Sequence, residues 1–343
     1  MHIPGLGMKF ANYYEQDRLE NSPFGEFDRH HKYNPTHTNR LLRSRFLNLG
    51  IELNTPDVNK GRKIEFSLFN NAMNIRDVIG PKYLIASENP YICPLNINLG
   101  YLKCFEQIFT WNSDLLYLPN VTKIFVPNNI SIEQFTPFHE RKIFSCLINA
   151  NKAFDREIAG DLYAERIRVI RWHEKEAPNH FALFGLGWGK PGPAFSFSSK
   201  IIRRMQRLAT QLFHYKPFPS YQGSIENKGE VYSNAKFSFC YENVAGLPDY
   251  ITEKIFDSFF WGCVPIYWGA NSIDKHIPKG CFIDRRDFKD TSEVHRFLLS
   301  IDEKKYHAYQ ENIRDFLNSS AAMKFDTNSF VDIITKKIHA DLS

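Results

Sequence analysis

Residues 236–270 read KFSFCYENVAGLPDYITEKIFDSFFWGCVPIYWGA, and this run decides the fold. Phe237 to Tyr241 is a short aromatic run suited to a buried strand. Glu242 and Asn243 follow at its carboxyl end. Asp249 is expected to cap the next helix, because its carboxylate can accept from the free N–H groups of a first turn. Ile255, Phe256, Phe259 and Phe260 recur at helical spacing and define one apolar face. Gly262 closes that helix, and Val264 to Trp268 reads as the next strand. Strand, polar loop, helix, strand is the repeating unit of a parallel α/β sheet. In such sheets ligands sit outside the carboxyl ends of strands, beside helix N-termini. Glu242, Asn243, Tyr250, Thr252, Glu253 and Lys254 fall at that place. A cation, a carboxylate and a tyrosine there suit a nucleotide-diphosphate sugar.

The same alternation extends in both directions. Ile64 to Phe69, Tyr83 to Ser87 and Lys123 to Val126 read as strands, and Thr38 to Leu47 and Asn98 to Phe105 as helices. A polar loop, VPNNISIEQFTPFHE (126–140), is a candidate linker. Ile143 to Ile148 starts a second strand–helix series, with Tyr163 to His173 as its first long helix. Asn328 to Ile338 is apolar enough to pack on the body as a helix. Alternating strands and helices argue for parallel sheets. The expected division is a first domain over 1–140 and a second over 141–343 that includes the C-terminal helix.

With 343 residues, 43% of them hydrophobic, the chain can support two real cores. Its net charge of +5 fits an anionic nucleotide donor or a loose association with an anionic membrane face. That excess is too small for a nucleic-acid protein, and no basic tract interleaved with aromatics occurs. The six cysteines form no C-x-x-C pair and fall in expected core segments, so they read as reduced, buried thiols of a cytosolic chain. No apolar run approaches the ~20 residues that span a bilayer. MHIPGLGMKFANYYEQD lacks the basic and apolar regions of a signal peptide.

The block at 236–270 resembles the donor-binding signature of glycosyltransferase family 10, the α1,3/α1,4-fucosyltransferases. KFSFCYEN, the DYITEKIFDSF helix and GCVPIYWGA carry the likeness. It continues in IPKGCFIDRRDF (277–288), SENP (87–90), FTWNSD (109–114), GDLYAERIRVIRWHE (160–174), FALFGLGW (181–188) and YQGSIENKGEVYSNAKF (221–237). The resemblance implies a GT-B fold, two Rossmann-like domains facing across a cleft. It implies inverting transfer of fucose from GDP-fucose to an N-acetylglucosamine-containing glycan, with an α1,3 linkage ahead of α1,4; a GT-B transferase using another nucleotide sugar and a non-catalytic glycan-binding relative are the alternatives. No cofactor is expected to be required, although Mn2+ or Mg2+ could stimulate loosely. The expected partners are donor and glycan acceptor, with lipopolysaccharide and glycoprotein glycans as acceptor classes. The expected location is the cytoplasm, with peripheral association at the inner membrane face.

Inverting transfer needs a carboxylate base on the acceptor hydroxyl and positive charge on the departing diphosphate. Glu88 ends the Tyr83–Ser87 strand, and the resemblance implies the base role for a glutamate in this E-x-P context. Lys254 is the first choice for the diphosphate, since a lysine gains nothing from an ordinary helix start. Glu253 suits a ribose hydroxyl or charge stabilisation near the sugar, and an acidic helix start would serve equally well. Tyr250 would pack beside the nucleotide or simply fill the core. Asn243 offers a donor and an acceptor, or an Asx turn. The resemblance points to Arg166, in Y-x-x-R-x-x-x-I, for bidentate phosphate contact. Arg156, Arg168 and Arg171 stay open as alternatives. Lys228 is a further phosphate candidate. Gly185, Gly187 and Gly189 read as a tight strand-end loop, not a dinucleotide fingerprint. His30, His31 and His37 read as exposed loop residues, and no metal site is expected.

Overall fold

A computed structural model describes residues 7–25, 35–193, 200–201, 203–205, 208 and 216–343. The chain forms two compact units. The first comprises Met1–Asn129, Pro248–Tyr250 and Met323–Ser343; the second comprises Ile130–Leu247 and Ile251–Ala322.

The first unit holds β1 (Lys9–Tyr14), β2 (Ile51–Asn54), β3 (Ile64–Asn70), β4 (Lys82–Ala86), β5 (Gln107–Thr110) and β6 (Val121–Lys123). They form one sheet in the order β2-β1-β3-β4-β5-β6, and every pairing is parallel. Ala11, Tyr13, Phe66, Leu68, Tyr83 and Ile85 point into one core, and Phe69, Leu84, Ala86 and Ile108 into the other. That two-sided burial follows from alternation along strands covered on both faces.

The second unit holds β7 (Ile143–Ile148), β8 (Phe181–Phe184), β9 (Tyr221–Gly223), β10 (Ala235–Tyr241), β11 (Val264–Trp268) and β12 (Ile283–Asp284). Their order is β12-β11-β10-β7-β8-β9, again all parallel. Phe237, Phe239 and Tyr241 lie in one core, while Ser238 and Cys240, fully buried, alternate to the opposite side. Gly262 follows the helix Glu253–Phe259 at φ 62, and a Cβ there would meet the Phe135 ring at 2.4 Å. Only glycine fits that close approach.

Four expectations need correction. The C-terminal helix, Thr327–Asp341, belongs to the first unit, because Phe330, Val331, Ile334 and Ile338 complete the core around Leu42 and Phe46. The unit boundary falls at Asn129/Ile130, inside the loop 126–140 rather than after it. Residues beyond it join the second unit, where the Thr136 carbonyl accepts from the buried Arg141. The strand expected at Lys123–Val126 runs instead over Val121–Lys123. The helix expected at Asn98–Phe105 is a single turn, Leu99–Leu102, capped by the Asn98 side chain. The cysteines are unpaired thiols, buried except for the half-buried Cys93 and the exposed Cys104.

Candidate active site

In the second unit, β10 delivers Glu242 and Asn243 at its carboxyl end, as the aromatic run predicted. Glu242 is completely buried. Its Oε1 accepts from the Thr252 backbone N–H at 2.8 Å, and its Oε2 from the Thr252 hydroxyl at 2.7 Å. The Lys254 ammonium lies 3.2 Å from Oε2. One strand-end carboxylate thus fixes the start of the helix Glu253–Phe259, and Thr252 is its N-cap position. The helix-capping role expected of Asp249 is not realised. Asp249 lies three residues earlier at φ 61, within the first unit.

Lys254 also donates to Thr252 Oγ1 at 2.9 Å and to Glu253 Oε1 at 3.4 Å. Its ammonium is therefore shared among neighbours, and its side chain is only 14% exposed. Asp257, one turn further, takes Lys228 at 2.6 Å. Burial pushes the Glu242 and Asp257 carboxyls up, opposed by Lys254 and Lys228 respectively. Burial also pushes Glu253 up, yet Lys254 and Lys228 with local hydrogen bonds outweigh it and hold Glu253 at about 2. Burial pulls Lys254 down, and Glu253 and Glu242 more than reverse that shift, keeping it firmly protonated. Opposite charges in a poorly solvated cluster favour each other's ionised form. The network can anchor hydroxyls and an anion at a fixed place.

Arg166, expected on the diphosphate, is engaged by the strand end itself. It is 2% exposed, and its Nη2 donates to the Tyr241 carbonyl at 2.5 Å, the Glu242 carbonyl at 2.8 Å and Asn243 Oδ1 at 3.3 Å. These bonds make it a brace for the carboxyl end of β10. The helix carrying it, Leu162–Glu176, is capped by Asp161, and its Leu162 N–H donates to the Asn243 carbonyl at 3.2 Å. Arg168 pairs with Glu165, Arg171 with Glu174 at 2.6 Å and Arg156 with Asp155 at 3.4 Å, all as exposed side chains. Gly185, at φ 118, lies so close to the Asn149 carbonyl that a Cβ would stand 2.2 Å from it, the tight strand-end loop expected.

In the first unit, Glu88 follows β4 in a loop held by asparagines. Asn71 Oδ1 accepts from the Glu88 N–H at 2.7 Å, and Asn96 donates to the Glu88 carbonyl at 3.0 Å. Glu88 Oε1 accepts from the Asn89 backbone and side-chain N–H groups, each at 2.9 Å. Tyr250, expected beside the nucleotide residues, instead belongs to this unit. Its hydroxyl lies 3.5 Å from Glu88 Oε1, and its ring 4.7 Å from that of Trp111. His37 sits in the helix Pro35–Asn48, not a loop; His30 and His31 lie outside the described residues. Among the described residues no group of three His, Cys, Asp or Glu could hold a metal ion. No helix among them is long and apolar enough to cross a membrane.

Residues 199–339 match the family described as glycosyltransferase family 10 (fucosyltransferase), C-terminal part. An alpha-(1,3)-fucosyltransferase of Helicobacter pylori is 34% identical over 108 residues, 31% of this chain and 21% of that protein. The 4-galactosyl-N-acetylglucosaminide 3-alpha-L-fucosyltransferase 9 of Mus musculus is 35% identical over 88 residues, 24% of each chain. The matches thus span about a fifth to a quarter of these relatives' length. A crystal structure of an alpha1,3-fucosyltransferase superposes with a TM-score of 0.51 at 13% identity, covering 93% of this chain and 83% of that one. Sucrose-phosphate synthase from Thermosynechococcus elongatus superposes at 0.57 with 10% identity, covering 97% and 99%. At such identities the likeness is one of fold: the two-sheet α/β architecture of the GT-B type.

Proposed function

We propose that this chain, whose residues 199–339 match the model of glycosyltransferase family 10, is a member of that family and transfers L-fucose from GDP-fucose to a glycan hydroxyl with inversion. The observation that carries the reading is the buried Glu242–Thr252–Lys254–Glu253 network, which lies inside the matched segment. Glu253, ionised across the physiological range, accepts from ribose or sugar hydroxyls. Lys254 meets the diphosphate by exchanging its longest contact, 3.4 Å to Glu253, for a phosphate oxygen. Asn243 adds a polar contact, and Arg166 positions the strand end that presents it. Lys228, engaged by Asp257, supports the cluster's charge rather than the phosphate.

Glu88 is the base in this proposal. It takes the proton of the acceptor hydroxyl as that oxygen forms its bond to the anomeric carbon. The bond from that carbon to the phosphate oxygen breaks, and its electron pair leaves with GDP. The acceptor is an N-acetylglucosamine-containing glycan, in keeping with the name of the Mus musculus relative, and the linkage is α1,3, in keeping with the names of both fucosyltransferase relatives. Action at the cytoplasmic membrane face on lipid-linked or protein-linked glycans completes the reading.

Calorimetry with GDP-fucose, GDP-mannose and a UDP-sugar tests the donor, with and without EDTA. GDP-fucose should bind at least tenfold tighter than the others, and EDTA should leave both binding and turnover largely intact. Preference for a UDP-sugar, or turnover abolished by EDTA and restored by Mn2+, would overturn the assignment.

A further inference from the structure

Two residues, Lys123 and Ser113, 126 and 136 positions away in sequence, meet on the Asp249 carboxylate. Its Oδ2 accepts from Lys123 Nζ at 2.7 Å and from the Ser113 hydroxyl. Lys123 donates in addition to Ser113 Oγ at 2.8 Å and to the Trp111 carbonyl. The Lys123 and Asp249 side chains are 23% and 10% exposed, so the pair is far better shielded than a surface ion pair. Burial draws the Lys123 ammonium below its ordinary range, and Asp249 opposes that. Asp249 itself holds a left-handed backbone, φ 61, which a non-glycine residue keeps only where its surroundings impose it. The next residue is Tyr250, its ring tilted against that of Trp111 and its hydroxyl at Glu88. Asn89 Nδ2 donates to the Tyr250 hydroxyl at 3.4 Å and to Glu88 Oε1 at 2.9 Å. Asn89 and Tyr250 thus converge on one oxygen of one carboxylate.

We propose that Lys123, Asp249 and Ser113 form a clamp that fixes the bend at Asp249, holds the Tyr250 hydroxyl on Glu88 and so orients this carboxylate for proton transfer. The inference rests on the reading of Glu88 as the base. Lys123 and Asp249 are positioning residues. They act through Tyr250 and touch no reacting atom.

The test uses the full chain with Asp249→Asn, which tolerates the left-handed bend but loses the charge, and Lys123→Met. Steady-state kinetics with GDP-fucose and an accepted glycan should show kcat lowered about tenfold in each, with the donor KM within about twofold. The double variant should be no slower than the slower single one. In a Tyr250→Phe background, Asp249→Asn should lower kcat no further, a dependence that a merely structural role would not produce. Amide exchange over 246–252 should quicken in both single variants. Unchanged kcat, losses that multiply in the double variant, or a loss confined to donor KM would overturn the clamp. A native chain that transfers no fucose would defeat the reading of Glu88 instead. The exchange measurement would then judge the clamp alone, and unchanged exchange in both variants would reject it.

Discussion

The ionic cluster of the second unit and the glutamate loop of the first solve the same problem by opposite means. Both hold carboxylates in place. Around Glu242 the partners are Thr252 and Lys254, ten and twelve residues away, and the fixing groups include a hydroxyl and an ammonium. Around Glu88 the close partners are amides: Asn89 on the carboxylate and Asn71 on the backbone. The first arrangement sets charge and the second sets direction. A buried, fully paired cluster resists change in ionisation. In the proposed function the first arrangement holds the donor and Glu88, in the second, acts as the base.

The sharpest way to break the contrast is Glu242→Ala. It breaks the buried ion pair with Lys254 and strands the Thr252 N–H in the interior, and the expected loss of stability is about 3–5 kcal/mol. Urea unfolding measures it, and a loss below about 1 kcal/mol would mean that the cluster is solvated. On the other side, Glu88→Gln should fold normally and bind GDP as the native chain does. Its turnover should fall about 10²-fold or more, the scale of a lost general base. Near-native turnover would remove Glu88 from the chemistry.

A subtler effect concerns pH. The Glu253 carboxyl is held at about 2, below its ordinary 4.5. Its contribution to stability is therefore complete above pH 4.5 and is lost as the pH falls from there through about 2. Relative to Glu253→Gln, the native chain should be more stable by about 3 kcal/mol at pH 7, with the gap closing over that acid range. A gap that is constant with pH would contradict the cluster's electrostatics. The smallest expected effect is at the helix surface. Arg168→Ala and Arg171→Ala should change stability by less than about 0.5 kcal/mol and leave GDP affinity unaltered. Calorimetry showing a tenfold loss of GDP affinity in either would return the diphosphate role to that arginine.

The contrast also explains what could be read from the residues alone. β7 and β11 match their expected ranges because apolar runs between turn signals define buried parallel strands. The cluster around Lys254 was legible because strand end, loop and helix start are contiguous. Asp257 could have been added, since it follows Glu253 at the i,i+4 spacing of one helix face. Arg166 is legible as a helix arginine, but its burial and the carbonyls it meets some 75 residues on leave no local trace. Asp249 looked like a cap because it is acidic and precedes a helix. Its actual partners, Lys123 and Ser113, are 126 and 136 residues away. Likewise, the periodicity of Thr327–Asp341 announces a helix but not which core it completes.

The most direct test of the account is the product itself. Native chain, GDP-fucose and a panel of galactosyl-N-acetylglucosamine glycans are incubated together, and the product is resolved by NMR. The account predicts release of GDP and a fucose in α linkage at the 3-position of N-acetylglucosamine. A β-linked fucose, or transfer only from a different nucleotide sugar, would contradict it.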